Sequence, residues 1–310
     1  MKIVVLTFGG RECSLKILFP LILKYKKYIH EFRIFIATVI QSDIDYMEKF
    51  ANENDFVKTI YLKINGKTIT DNSQKELIWN NAYNMCQEEN TVYIKLDDDI
   101  VYFDETLFTE FVDYRINNRN FPILYPVIIN NTITSVILQE NGIYQPNIKS
   151  NILNTWKNTY NRIKNHIIEN KTKKLRIGDF VQDYEILCPI AWGNLNYCYD
   201  IHCQFINDIS QDNIKKYYLK DNIILNHAEP VSINACCWIG EDLHKYVKEY
   251  GDIYNDENYL SVYLPIWCGE NNEIYSKSVV AHYAYYKQRE LGLDNTDILD
   301  KYYQFVQNNI

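Results

Sequence analysis

The chain has 310 residues, of which 47% are hydrophobic, and a formal net charge of -8. That apolar content excludes a disordered chain and suffices for one large core or two modest ones. The acidic balance argues against a nucleic-acid surface as the main business, although a metal and a few basic side chains would still let an acidic protein hold an anionic nucleotide. Eight cysteines stand without a CxxC pair, as expected of reduced, mostly buried thiols in a cytoplasmic protein. No signal peptide precedes the first strand, and the longest apolar runs, such as 17–23 with its Pro20, are too short for a membrane span.

In chain order, Lys2 to Phe8 reads as a buried parallel-type strand ending in Gly9-Gly10-Arg11. A helix is expected from about Cys13 to Tyr28, a strand from Phe32 to Val39, a helix from Ser42 to Asn54 and a short strand from Thr59 to Lys63. A third helix follows from Ser73 to Cys86, then the strand Thr91 to Leu96. Strands alternating with helices predict an α/β fold with a mainly parallel, Rossmann-type sheet flanked by helices. Beyond it the pattern changes to a smaller mixed region. Strands are expected over Pro122–Ile129 and Ile133–Leu138 around Asn130-Asn131, and a polar, Lys-rich helix over Lys149–Lys174. Strand character returns over Val231–Ile239 and Ser278–Tyr286, and an amphipathic helix closes the chain from Asn295 to Asn308. No repeat, linker or composition boundary appears, so a single domain over 1–310 is expected, with a nucleotide-binding half to about 105 and an acceptor-side half after it.

The most informative segment is Tyr93-Ile94-Lys95-Leu96-Asp97-Asp98-Asp99-Ile100-Val101. An apolar strand delivers three adjacent carboxylates, which need a counter-charge. In extended backbone Asp97 and Asp99 share a face and Asp98 takes the other. Two carboxylates at the carboxyl end of a central strand suit a hard divalent cation, which can in turn hold a diphosphate. The first βα turn of the same sheet, Thr7-Phe8-Gly9-Gly10-Arg11, offers backbone amides and a guanidinium where open α/β sheets bind ligands.

Together these segments resemble the GT-A fold glycosyltransferases, whose DxD motif follows a hydrophobic strand. The resemblance extends to members in large DNA viruses, fungi and bacteria through Ile64-Asn65-Gly66, Val231-Ser232-Ile233-Asn234 and Val280-Ala281-His282-Tyr283-Ala284. It implies a metal-dependent enzyme moving a sugar from a nucleotide-sugar, UDP-linked in most such enzymes, to a hydroxyl of a glycan or protein-linked sugar. The metal would be Mn²⁺ or Mg²⁺, a Lewis acid for the leaving diphosphate. By the same resemblance Asp99 is the direct metal ligand, Asp97 reaches the ribose or assists through water, and His282 supplies a further ligand. Thr7, Gly9, Gly10, Arg11, Lys95, Asp97 and Asp98 are the nucleotide-side contacts. Inverting members place an Asp or Glu base at a helix start beyond the DxD strand, which points to Asp256, with Glu257 close behind. The implied location is cytoplasmic, in the host if the source is viral.

Plainer alternatives stand beside each assignment. Asp256 and Glu257 also suit a helix cap and first turn, and a lone histidine such as His282 is commonly a core residue bonded to backbone. Trp192, Trp238 and Trp267 can stack on a sugar or pack in the core. An EF-hand is excluded, because Val101 holds the fifth position and no glycine follows it. Asp97 to Val101 also fits the nucleophile motif of haloacid-dehalogenase-like phosphatases, and Gly251-Asp252-Ile253-Tyr254-Asn255-Asp256 fits their later acidic motif. Against this, that nucleophile ends a first strand, and Tyr246 to Tyr250 reads as helix where an apolar strand is needed. A non-catalytic nucleotide- or carbohydrate-binding protein is the third possibility.

Overall fold

The computed structural model describes residues 1–64, 67–68, 75–144, 193–225, 231–253 and 255–309. Asn65, Gly66, Trp192, Cys188 and the Lys149–Lys174 stretch lie outside them. The first half alternates β1 (Lys2–Gly9), α1 (Glu12–Lys24), β2 (Glu31–Ile36), α2 (Gln41–Asn52) and β3 (Val57–Tyr61). A small hairpin of β4 (Lys63–Ile64) and β5 (Lys67–Thr68) follows, then α3 (Lys75–Asn84), β6 (Thr91–Leu96) and β7 (Ile100–Phe103). The second half contains α4 (Glu110–Asn117), β8 (Leu124–Ile129), α5 (Thr132–Glu140), α6 (Leu195–Ser210), β9 (Ile223–Ile224), β10 (Ala235–Ile239) and α7 (Gly240–Tyr250). After it, α8 (Asp256–Asn258) runs through a π-helical turn (Tyr259–Tyr263) into α9 (Leu264–Cys268), followed by β11 (Glu273–His282), α10 (Tyr286–Glu290) and α11 (Ile298–Asn309).

One nine-stranded sheet takes strands from both halves in the order β3-β2-β1-β6-β10-β8-β11-β7, with β9 beside β11. Neighbours from β3 to β6 pair in parallel, as do β8 and β11, whereas β10, β7 and β9 run against their partners. The fold is thus α/β, with a mixed, mostly parallel sheet flanked by helices. β2, β6, β8 and β10 are buried along their whole length, which is why β8 and β10 read as nearly continuous apolar runs, while β2 and β6 also bury Glu31, Arg33 and Lys95.

Register decides what meets at the carboxyl ends. Leu6 lies opposite Lys95, so the turn after β1 sits beside the turn after β6. β10 runs antiparallel with Ala235 opposite Leu96, and the Asp97 amide donates to the Asn234 carbonyl at 2.8 Å. β11 pairs with β7, and the Tyr283 amide donates to the Asp99 carbonyl at 2.9 Å. Below this edge Trp238 is fully buried against Tyr93 and Tyr83, its Nε1 donating to the Cys86 carbonyl at 3.1 Å. It is therefore a core residue and not a sugar platform. The described cysteines are all free, and no described helix is long and apolar enough to cross a membrane.

Several expected elements are corrected. Ile133–Leu138 is not a strand but part of α5. Asn130 adopts φ +59°, reversing the chain after β8, and Asn131 caps the helix by accepting from the Ile133 and Thr134 amides. The β-branched residues there suggested a strand, but burial of Thr134, Ser135 and Leu138 follows helical spacing. Of Val231–Ile239 only Ala235–Ile239 is strand. Pro265 follows directly on the π-helical turn at the start of α9, and Gly269 at φ +73° stops the chain. Strand β7 was not anticipated, because Ile100–Phe103 read only as an apolar continuation of the aspartates.

Candidate active site

Strand β6 ends at Leu96, and the three aspartates occupy a turn closed by the Ile100 amide donating to the Asp97 carbonyl at 3.1 Å. Strand alternation therefore does not govern them, and each carboxylate takes its own direction. Asp97 faces β10, where its Oδ1 meets the Lys95 ammonium and its Oδ2 accepts from Asn234 Nδ2 at 3.2 Å. Asp98 turns towards β1 and accepts from the Gly10 amide at 2.9 Å and from the Arg11 guanidinium. Asp99 faces β11 and α10, accepting from Arg289 Nη2 at 2.9 Å, with Arg11 Nη2 at 3.4 Å from the same oxygen. The counter-charges are thus Lys95, Arg11 and Arg289.

One acceptor is left over. Asp99 Oδ1 is buried without a hydrogen-bond partner and faces His282 Nε2 at 3.5 Å. His282 Nδ1 lies 3.3 Å from the Asn130 carbonyl, which can only accept, so Nδ1 carries a proton and Nε2 is the ring atom turned to the carboxylate. Either a proton on Nε2 or a bound cation completes this contact. One ligand atom each from Asp97, Asp99 and His282 lies within 4.8 Å of the others. An oxygen, oxygen and imidazole set with its histidine oriented by a backbone carbonyl fits a divalent cation.

Charge follows the same pattern. Burial raises Asp98 to about 6, against the pull of Arg11, while burial of Asp99 is outweighed by its cationic neighbours, Arg11 first, and that carboxyl is lowered. Burial disfavours the Lys95 ammonium, but Asp97 and Asp256 raise it overall. Lys95 also donates to the Ile233 carbonyl at 2.7 Å, so it stands on the Asp97 side.

The turn after β1 is less open than its glycines suggest. The Gly10 amide is taken by Asp98, and the Glu12 amide at the start of α1 donates to Asp43 at 3.0 Å. Gly9 packs closely, since a Cβ there would come within 2.4 Å of Met47 Sδ and that side chain would have to move. Thr7 is fully buried with its Oγ1 unpartnered. Of this turn the Arg11 side chain, half-exposed although paired with Asp98, is the polar group left open to solvent.

Asp256 and Glu257 join the same cluster from α8. The cap of that helix is Asn255, whose side chain accepts from the Asn258 amide at 3.1 Å, so neither acid serves as cap. Asp256 has both oxygens engaged, Oδ2 by the Tyr83 hydroxyl at 3.0 Å and Oδ1 by the Glu257 amide at 2.9 Å. Glu257 Oε1 accepts from Ser232 Oγ at 2.8 Å. Burial, with Asp256 and Asp97 nearby, pushes Glu257 up to about 7, and burial raises Asp256 as well. The approach to Asp256 is the α7 helix and Gly251 at φ +96°, not the apolar strand that the phosphatase motif needs. Trp267 is 41% exposed and stacks on Tyr250 and Tyr263.

Arg289, Tyr83 and Asn130-Asn131 belong to this cluster and were not singled out from sequence. Arg289 lies 190 residues from Asp99 in the chain, and nothing local marks it. Lys95, a basic residue inside a buried strand, was the one legible signal of a buried ion pair.

No protein-family model matches the sequence, and no curated protein matches it. Among solved structures the chain is similar to CMP:2-keto-3-deoxy-manno-octonic acid synthetase complexed with CTP, with 9% identity and a TM-score of 0.41 over 100% of this chain and 99% of that one. Likeness at that level carries no argument about this chain, and the resemblance to viral and fungal members gains no support.

Proposed function

We propose that this chain is a metal-dependent glycosyltransferase of GT-A type, moving a sugar from a nucleoside diphosphate, UDP first among candidates, to a hydroxyl acceptor with inversion. The observation that carries it is the meeting of Asp97, Asp99 and His282 around the unpartnered Asp99 Oδ1, beside a second carboxylate pair, at the carboxyl ends of β1 and β6. Asp97, Asp99 and His282 would hold Mn²⁺ or Mg²⁺, which when bound supplies Lewis-acid stabilisation of a leaving diphosphate. Arg11 and Arg289 stand ready to share that negative charge. Glu257 takes the proton from the acceptor hydroxyl: it is raised to about 7, close to the ideal for a general base, and keeps an oxygen free of the bond to Ser232. Asp256, with both oxygens committed, supports the geometry through Tyr83.

Calorimetry with UDP, GDP and their sugars, with and without Mn²⁺, tests this, together with slow hydrolysis of the nucleotide-sugar in the absence of acceptor. Mn²⁺-dependent binding that Asp99→Asn abolishes while the protein stays folded is the expected result. Formation of an aspartyl-phosphate from a phosphate donor, with no nucleotide binding, would select the phosphatase instead. The neutralisation of Asp98 and Asp99 by Arg11 and Arg289 favours one second possibility, in which the arginines hold the diphosphate without a cation. Nucleotide affinity unchanged by a chelator selects it.

A further inference from the structure

We infer that Asn130 and Asn131, at the carboxyl end of β8, are positioning residues that aim His282 and Asp97 at one cation position and tie Glu257 to the same frame. Both side chains are fully buried, and neither touches the site directly. This inference rests on the proposed metal site and adds the device that holds it open.

Asn130 acts on the histidine. Its left-handed backbone, φ +59°, turns its carbonyl towards His282 Nδ1 at 3.3 Å, which leaves Nε2 as the ring nitrogen facing Asp99. That backbone is uncommon for a residue with a Cβ, and the side chain locks it in place. Asn130 Nδ2 donates to the Tyr283 carbonyl at 2.8 Å and to Gln288 Oε1 at 3.0 Å, and Oδ1 accepts from Gln288 Nε2 at 2.8 Å. The lock spans from β8 to the two elements, β11 and α10, that carry His282 and Arg289.

Asn131 acts on the carboxylates. Its Oδ1 is committed to capping α5, so its Nδ2 must point away, donating to Asn234 Oδ1 and to the Ser232 carbonyl, each at 3.1 Å. Asn234 also accepts from the Tyr285 hydroxyl at 3.3 Å on that oxygen, so its own Nδ2 is turned to Asp97 Oδ2 at 3.2 Å. Ser232, held through its carbonyl, gives its hydroxyl to Glu257. A fixed cap therefore dictates the direction of each later amide, and the relay ends with a donor on Asp97 and another on Glu257.

Three variants of the full chain test it. Asn131→Ser and Asn131→Asp each keep a capping oxygen but lose the amide donor, and Asn130→Gly keeps the left-handed backbone but loses the lock. Titration with Mn²⁺ alone, followed by calorimetry beside thermal unfolding, is the measurement. About tenfold weaker Mn²⁺ binding in each variant is expected, the cost usual for loss of a group that orients a metal ligand. The Asn131 variants should keep near wild-type melting temperatures. Nitrogen NMR of the metal-free protein should find the His282 proton on Nδ1. Wild-type protein that binds Mn²⁺ no better than the variants overturns the inference and leaves the metal site standing. Wild-type protein that binds no Mn²⁺ overturns both. A His282 Nδ1 without a proton overturns the Asn130 half.

Discussion

Replacing Glu257 by Gln separates a buried acid from its charge with little change of shape. The amide oxygen can still accept from Ser232 Oγ, now 2.8 Å from Oε1, so what is lost is the ionised form. Burial, followed by Asp256 and Asp97, raises this carboxyl from 4.5 to about 7. The folded state therefore holds its proton over a window in which the unfolded chain has released it. Below the unfolded value both states are protonated and the group contributes nothing. As pH rises from there towards 7, stability falls, and above 7 the full cost remains. A displacement of that size corresponds to roughly 3 kcal/mol if nothing screens it. Glu257 is only half-buried by accessible area, so solvent screening leaves about 1–2 kcal/mol. Urea unfolding of wild type and Glu257→Gln at several pH values between 4.5 and 8 reads this directly. The variant should match wild type at the acid end and exceed it by about 1–2 kcal/mol at pH 8. In the same variant transfer should fall by about two to four orders of magnitude with donor binding retained, and the wild-type rate should rise with pH towards 7. Stability curves that run parallel across the whole range would refute the raised carboxyl. Undiminished transfer would remove Glu257 as base.

Two further outcomes are expected. Arg289→Gln removes a cation bonded to Asp99 at 2.9 Å. It should strengthen binding of Mn²⁺ alone by about tenfold, because one repelling charge is gone, yet weaken binding of the Mn²⁺–diphosphate pair. If calorimetry moves both affinities in the same direction, Arg289 has no part in sharing the diphosphate charge. Gly240→Ala would set a Cβ 2.2 Å from the Glu88 carbonyl oxygen at the start of α7. Backbone must shift to admit it, so a loss of about 2–3 kcal/mol is expected in chemical denaturation, and a neutral substitution would refute the close approach.

The local chemistry of this chain was legible from its residues. The largely apolar runs of β1 and β6 and the helices beside them follow from period and burial, because a parallel strand covered on both faces must be mainly apolar, whereas β3 is a half-exposed edge strand. Asp97 and Asp99 were recognisable from their place at the end of such a strand, and His282 from its position in another. Local propensity misled where it competed with a cap. Ile133–Leu138 carries β-branched side chains, but Asn131 satisfies the first amides of a helix there, and burial at helical spacing outweighs the preference. The turn of the three aspartates was likewise misread as strand, although the pairing of Asp97 with Asp99 came out the same.

What the tertiary structure alone decided is the partnership of each charge. Arg289 meets Asp99 across 190 residues, Asn234 meets Asp97 across 137, and Tyr83 meets Asp256 across 173. No periodicity encodes such pairs. They arise from sheet order, which sets antiparallel β10 against β6 and β11 between β8 and β7. The Gly9-Gly10 turn shows the same limit from the other side: its amides looked free for phosphate in sequence, and Asp98 and Asp43 already occupy two of the amides in and just after it. Sequence spacing specifies which groups a strand end can offer, because the backbone period is local. Which of them stay available depends on long-range partners that come together when the sheet closes.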